Sequence, residues 1–87
     1  VAYYRARQEA LEPDGRLDHD EARDVQFAYG YEAGAGEVLA GNYHDPRDAL
    51  GGWKASPAHN AALLAAWGRD VGVAVAYEDG APIRPVW

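Results

Sequence analysis

His19, His44, His59, Glu37 and Ser56 are the side chains of this chain placed where they could do chemistry. A neutral imidazole is a metal ligand or a general base near neutral pH, and a carboxylate beside it can orient the ring or share a cation. No histidine lies four residues from another, so no local ligand pair of the His-Glu-x-x-His kind exists, and a metal site would have to be assembled by the fold. Read singly, each histidine is an ordinary exposed or half-buried residue bonded to backbone. Glu37, between Gly36 and Val38-Leu39-Ala40, sits where burial is expected of an acid that would otherwise be solvated. Ser56, the only serine, precedes Pro57 and is better explained as a helix cap than as a nucleophile. The glycines at 34 and 36 are not a phosphate loop, since no Gly-Lys-Ser/Thr follows.

These residues need elements to carry them. Tyr3, Ala6 and Ala10 share a helical face with Leu11 at its edge, and Arg5, Gln8, Glu9 and Glu12 lie largely opposite. Pro13-Asp14-Gly15 ends that helix. A second amphipathic stretch runs from about Asp20 to Tyr29, with Ala22, Val25 and Tyr29 on one side and Gly30 as its stop. Residues 33–36, Ala-Gly-Ala-Gly, read as loop, and Glu37 to Ala40 as a short strand. Asp45-Pro46 and Ser56-Pro57 each supply a cap followed by a proline at the first helical position, predicting helices through Trp53 and from Ala58 to about Ala66. Trp53 and Trp67 are core or pocket-wall aromatics, and Tyr29 and Tyr31 flank Gly30, where packing is the better explanation than a groove.

From Asp70 the period switches to two, with Val71, Val73 and Val75 on one face and Gly72, Ala74 and Ala76 on the other. The small face predicts something packed closely over it. Glu78-Asp79-Gly80 is a turn, and Ala81 to Trp87 a returning edge strand, because Pro82 and Pro85 donate no hydrogen bond.

Bulk composition narrows the function. Eighty-seven residues make one small domain with a thin core, and much of the 48% apolar content is alanine. Net charge is −6, and seven arginines and one lysine are scattered among fourteen acids. A duplex binder needs clustered cations to release counterions, so nucleic acid and anionic membranes are poor partners. No apolar run approaches the ~20 residues that span a bilayer. Without cysteine, neither disulfides nor redox compartment can be read.

Five landmarks occur in order: Gly15-Arg16-Leu17-Asp18-His19, Tyr29-Gly30-Tyr31, Gly36-Glu37-Val38-Leu39-Ala40, Trp53-Lys54-Ala55-Ser56-Pro57-Ala58-His59 and Val71-Gly72-Val73-Ala74-Val75. The series resembles the cysteine-free bacterial form of the CAP superfamily (cysteine-rich secretory proteins, antigen 5 and pathogenesis-related proteins), also called SCP-like domains. Val38 stands where the family has Asn, and Ala58 where it has Gly. The resemblance covers residues 1–87 as a single domain and implies more of a first helical region before Val1. It implies an α+β fold, an α-β-α sandwich with a small antiparallel sheet.

It further implies a central cleft with His19 and His59 as ligands for zinc or another divalent cation, Glu37 as the cleft acid, and Trp53 and Ser56 on its wall. The function expected on that basis is an extracellular or envelope-associated binding module, not an enzyme, whose partner is a small molecule, a lipid or an envelope protein. The alternative is a metal-dependent hydrolase with Glu37 as general base on a zinc-bound water.

Overall fold

The computed structural model describes residues 1–31 and 34–87. Ala33, the first residue of the glycine-rich stretch, lies with Glu32 outside the described residues. The element order is α1 (Ala2–Ala10), α2 (Ala22–Ala28), α3 (Pro46–Ala55) and α4 (Pro57–Leu63).

The punctuation of these helices follows local chemistry. The Asp45 carboxylate accepts the Arg47 amide at 2.7 Å, capping α3 with Pro46 in its first turn. Helix α2 ends on Gly30 at φ +80°, with the Gly30 amide donating to the Phe27 carbonyl and the Tyr31 amide to the Gln26 carbonyl. That paired arrangement is a Schellman closure, and the left-handed glycine permits it. Ser56 does occupy the N-cap position of α4, but its side chain makes no capping bond there. Helix α4 stops at Leu63, short of Ala66, and buries no residue.

The expected α-β-α sandwich is not formed. Among the described residues there is no strand, only isolated antiparallel bridges of Val86 with Gly41 and with Ala76. Val86 exchanges both backbone bonds with Ala76 (2.8 and 3.0 Å), and Trp87 exchanges both with Ala40 (2.8 and 3.2 Å). The Asn42 amide adds a bond to the Pro85 carbonyl at 2.8 Å. Residues 85–87 thus lie between two extended segments, one on each edge. The pairing stops short of a sheet for a chemical reason: Pro82 and Pro85 have no amide hydrogen, and the Arg84 amide is taken by the Asn42 side chain at 3.2 Å. The Arg84–Pro85 peptide bond is cis.

The small face of residues 72–76 does find its cover. Ala76 and Val86 form one buried cluster with Ala6 and Ala10 of α1, edged by Leu17, Ala81 and Ile83. A Cβ on Gly72 would sit 3.6 Å from the Ala2 Cβ, so the close approach continues along α1. Gly41 is held to glycine by the Ile83 side chain, which a Cβ would strike. The other face is bare: Val71 is 86% exposed and Val73 69%.

The inward side of α1 also differs from the periodicity reading. Tyr3 and Leu11 are exposed, and Arg5 and Glu9 are buried beside Ala6 and Ala10. Alanine leaves room at the contact, and a charge pair one turn apart can enter that room if all its polar atoms are bonded.

Val86 is fully buried at the joint of all three extended segments and α1. Val86→Ala is expected to lower unfolding stability by about 2 kcal/mol from lost transfer energy and the cavity left behind. Val71→Ala, on the bare face, should change it by less than about 0.5 kcal/mol. Urea denaturation of the two variants checks this; equal effects would contradict the assignment of the core.

Candidate functional site

Two of the chemistry-bearing residues, His19 and Glu37, gather around one guanidinium that helical periodicity placed on the solvent face. Arg5 on α1 is 2% exposed. Its Nε donates to Glu37 Oε2 and its Nη2 to Glu37 Oε1, both at 2.8 Å, a two-pronged pairing across 32 residues. The second Nη2 hydrogen goes to the Asp18 carbonyl at 2.9 Å. Nη1 serves Gln8 at 2.5 Å and Glu9 at 3.1 Å. All five donors of the fork are used, which is the condition under which a guanidinium is tolerated inside a protein.

Each partner is itself anchored. Glu9, one turn along α1, gives its other oxygen to the Asp18 amide at 2.6 Å. Arg5 and Glu9 together therefore grip both backbone groups of Asp18 and fix the loop that carries His19. His19 Nδ1 lies 2.8 Å from Glu37 Oε1. An ionised carboxylate has no proton to give, so Nδ1 is the donor and the ring presents Nε2 outward. The His19 side chain is 54% exposed, so that nitrogen is reachable.

The electrostatics favour the ionised acid. Burial alone would push the Glu37 carboxyl up, but the hydrogen bonds from Arg5 and His19, reinforced by the nearby positive charge, hold it below its ordinary value of 4.5. The Glu37 hydrogen bonds in turn raise the Arg5 guanidinium above its ordinary range, against the lowering effect of burial.

His19 and Glu37 open onto a large cleft of ≈ 1710 Å³ whose lining includes residues 34–39 and 67–74. Trp53 lines it, and its Nε1 donates to the Leu39 carbonyl at 3.0 Å. Trp67 and Trp87 also face it. His59, half-buried on the first turn of α4, and Ser56 do not line the cleft, and His44 is exposed elsewhere. The structure thus brings His19 and Glu37 together on Arg5 and leaves His59 apart from them.

The trio His19, Glu37 and His59 is not gathered as a set of free ligands. Both Glu37 oxygens and His19 Nδ1 are engaged, and His19, Glu37 and His59 do not form a cluster of ligand atoms. Among the described residues the trio whose ligand atoms all lie within 4.8 Å is Glu9, Asp18 and Glu21. Arg5 already supplies that trio with a cation: its Nη1 is 3.1 Å from Glu9 and 3.8 Å from Glu21.

Arg5 and Glu9 were missed because periodicity assigns charge to solvent. The available signal was an Arg-Glu pair four residues apart, next to an alanine stripe too small to fill a core alone. No family model, curated protein or solved structure matches this chain.

The depressed Glu37 carboxyl makes stability depend on pH. Its folded value lies below the unfolded one, so its contribution is complete above about 4.5 and is lost as pH falls through the folded value. Unfolding free energy of the wild type should fall as acid is added below pH ~4.5, and Glu37→Gln should fall less steeply over the same range. At neutral pH that variant is expected to be about 1–3 kcal/mol less stable. Urea titrations at a series of pH values test both; parallel pH profiles would contradict the clamp.

Proposed function

We propose that this chain is a binding module, not an enzyme, whose cleft takes an apolar small molecule or lipid-like ligand with a polar end bonded to His19 Nε2. The observation that carries this reading is the ordered chain Arg5–Glu37–His19, which fixes one imidazole face toward a cleft walled by Val38, Leu39, Trp53 and Trp67. Binding sites are usually concave and largely apolar with a few oriented polar groups, and this cleft has that composition. An extracytoplasmic or envelope-associated setting is part of the proposal and rests on the landmarks shared with CAP domains. No helix of the described residues is long and apolar enough to cross a membrane.

The hydrolase alternative is the weaker reading because of the same clamp. A general base at neutral pH works best with a pKa near the operating pH, and Glu37 is held well away from it with both oxygens bonded.

1-Octanol serves as the probe, with an apolar tail for the tryptophans and a hydroxyl that donates to His19 Nε2. Titration should saturate with a change in tryptophan fluorescence and a shift of the His19 Nε2 resonance. His19→Ala should weaken binding about tenfold, the worth of one good hydrogen bond, and His59→Ala should leave it unchanged. Equal affinity in wild type and His19→Ala would overturn the proposal.

A further inference from the structure

Charge is distributed unevenly around the cleft. The chain carries a net charge of −6, yet among the described residues the lining holds three arginines, Arg5, Arg23 and Arg69, and two acids, Glu37 and Asp70. Arg5 and Glu37 neutralise each other through their two-pronged pairing. That leaves Arg23 and Arg69 against Asp70, an excess of one positive charge. The carboxylates that make the chain acidic, the Glu9, Asp18 and Glu21 group among them, do not line the cleft.

Arg23 is the cation best prepared for a ligand. Its guanidinium carbon lies 5.2 Å from the centroid of the Phe27 ring, one turn further along α2, and Phe27 lines the cleft as well. An aromatic face takes the flat side of a guanidinium and leaves the N–H donors in its plane for other acceptors. Among the described residues those donors meet no carboxylate: the arginines in ion pairs are Arg5, Arg7 and Arg84. Stacking on Phe27 also restricts the side chain before a ligand arrives, so less rotamer freedom remains to be lost on binding.

His19 stands at the entrance to the same helix. Its carbonyl accepts the Ala22 amide at 3.1 Å, and Arg23 follows in the first turn of α2. The acceptor Nε2 and the guanidinium fork thus come from one short segment, and both residues line the cleft. A neutral hydroxyl uses only the first of them. A monoalkyl phosphate uses both in one group: in its singly ionised form the P–O–H donates to Nε2 and the anionic oxygens accept from Arg23.

We propose that the ligand of the cleft is an anionic amphiphile, an alkyl chain ending in a phosphate, and that Arg23 takes the charged head. The inference rests on the ligand reading above and adds charge to the polar end. A chain of net charge −6 repels an anion at long range. A preference for a charged head over a neutral one on the same tail must therefore come from local cations.

Titration with octyl phosphate below its micelle concentration, followed by tryptophan fluorescence, is compared with 1-octanol. Wild type should bind octyl phosphate about tenfold more tightly, the worth of one charge-assisted hydrogen bond. Arg23→Gln should remove that advantage and leave the affinity for 1-octanol unchanged, which also shows that the variant is folded. Arg47→Gln, which removes an equal charge outside the cleft, should alter neither. Equal affinity of wild type for the two probes, or an equal loss in both arginine variants, would overturn the inference, while the ligand reading stands on 1-octanol and His19→Ala. Inorganic phosphate should not displace octyl phosphate at equal concentration; displacement would mean that the site takes a free anion and would overturn the amphiphile. Failure of wild type to bind either alkyl probe would sink the ligand reading and the inference together.

Discussion

A single buried guanidinium ties together the parts of this fold that hydrophobic packing would leave loose. Among the described residues the buried apolar side chains are five alanines (Ala6, Ala10, Ala40, Ala49, Ala76), two valines (Val25, Val86) and Pro85, which bury little area for a domain of this length. Arg5 makes up part of that deficit by joining α1 to the Asp18 loop and to Glu37, three places far apart in sequence. Burying a charge is costly unless every donor is bonded and an opposite charge is adjacent, and both conditions hold. Removing Arg5 would leave Glu9 and Glu37 facing each other's field with no cation between them. The loss of one side chain would therefore be felt at three elements together.

The same interaction links fold to function. Glu37 is kept ionised by Arg5, and an ionised Glu37 sets the orientation of His19. What reaches the cleft is one imidazole nitrogen with a defined direction, beside walls that are largely aromatic and aliphatic.

How much of this was legible in the sequence can be seen residue by residue. Asp45-Pro46, Ser56-Pro57 and Gly30 marked helix boundaries because capping and left-handed turns are local chemistry. The small face of residues 72–76 correctly pointed to a close neighbour, which is the alanine stripe of α1. The strands were over-read: alternation at Val71 to Val75 describes a segment suited to pairing, but a ladder also needs a partner with free amides, and Pro82 and Pro85 withhold them. His19 and Glu37 were nominated through the resemblance and lie in hydrogen-bond contact with each other, whereas Arg5 was assigned to solvent because helical periodicity places charge outward. His59 was nominated only through resemblance, and the fold sets it outside the cleft.

The central claim is that Arg5 and Glu37 act as one unit, and a double-mutant cycle measures that directly. Unfolding free energies of wild type, Arg5→Met, Glu37→Gln and the double variant would be obtained by urea denaturation at neutral pH, with a stabilising osmolyte common to all four. Arg5→Met alone should cost about 3–5 kcal/mol. In the double variant the costs should fall short of additive by about 2 kcal/mol, the coupling of a partly buried, two-pronged ion pair. Additivity within about 0.5 kcal/mol would contradict the account.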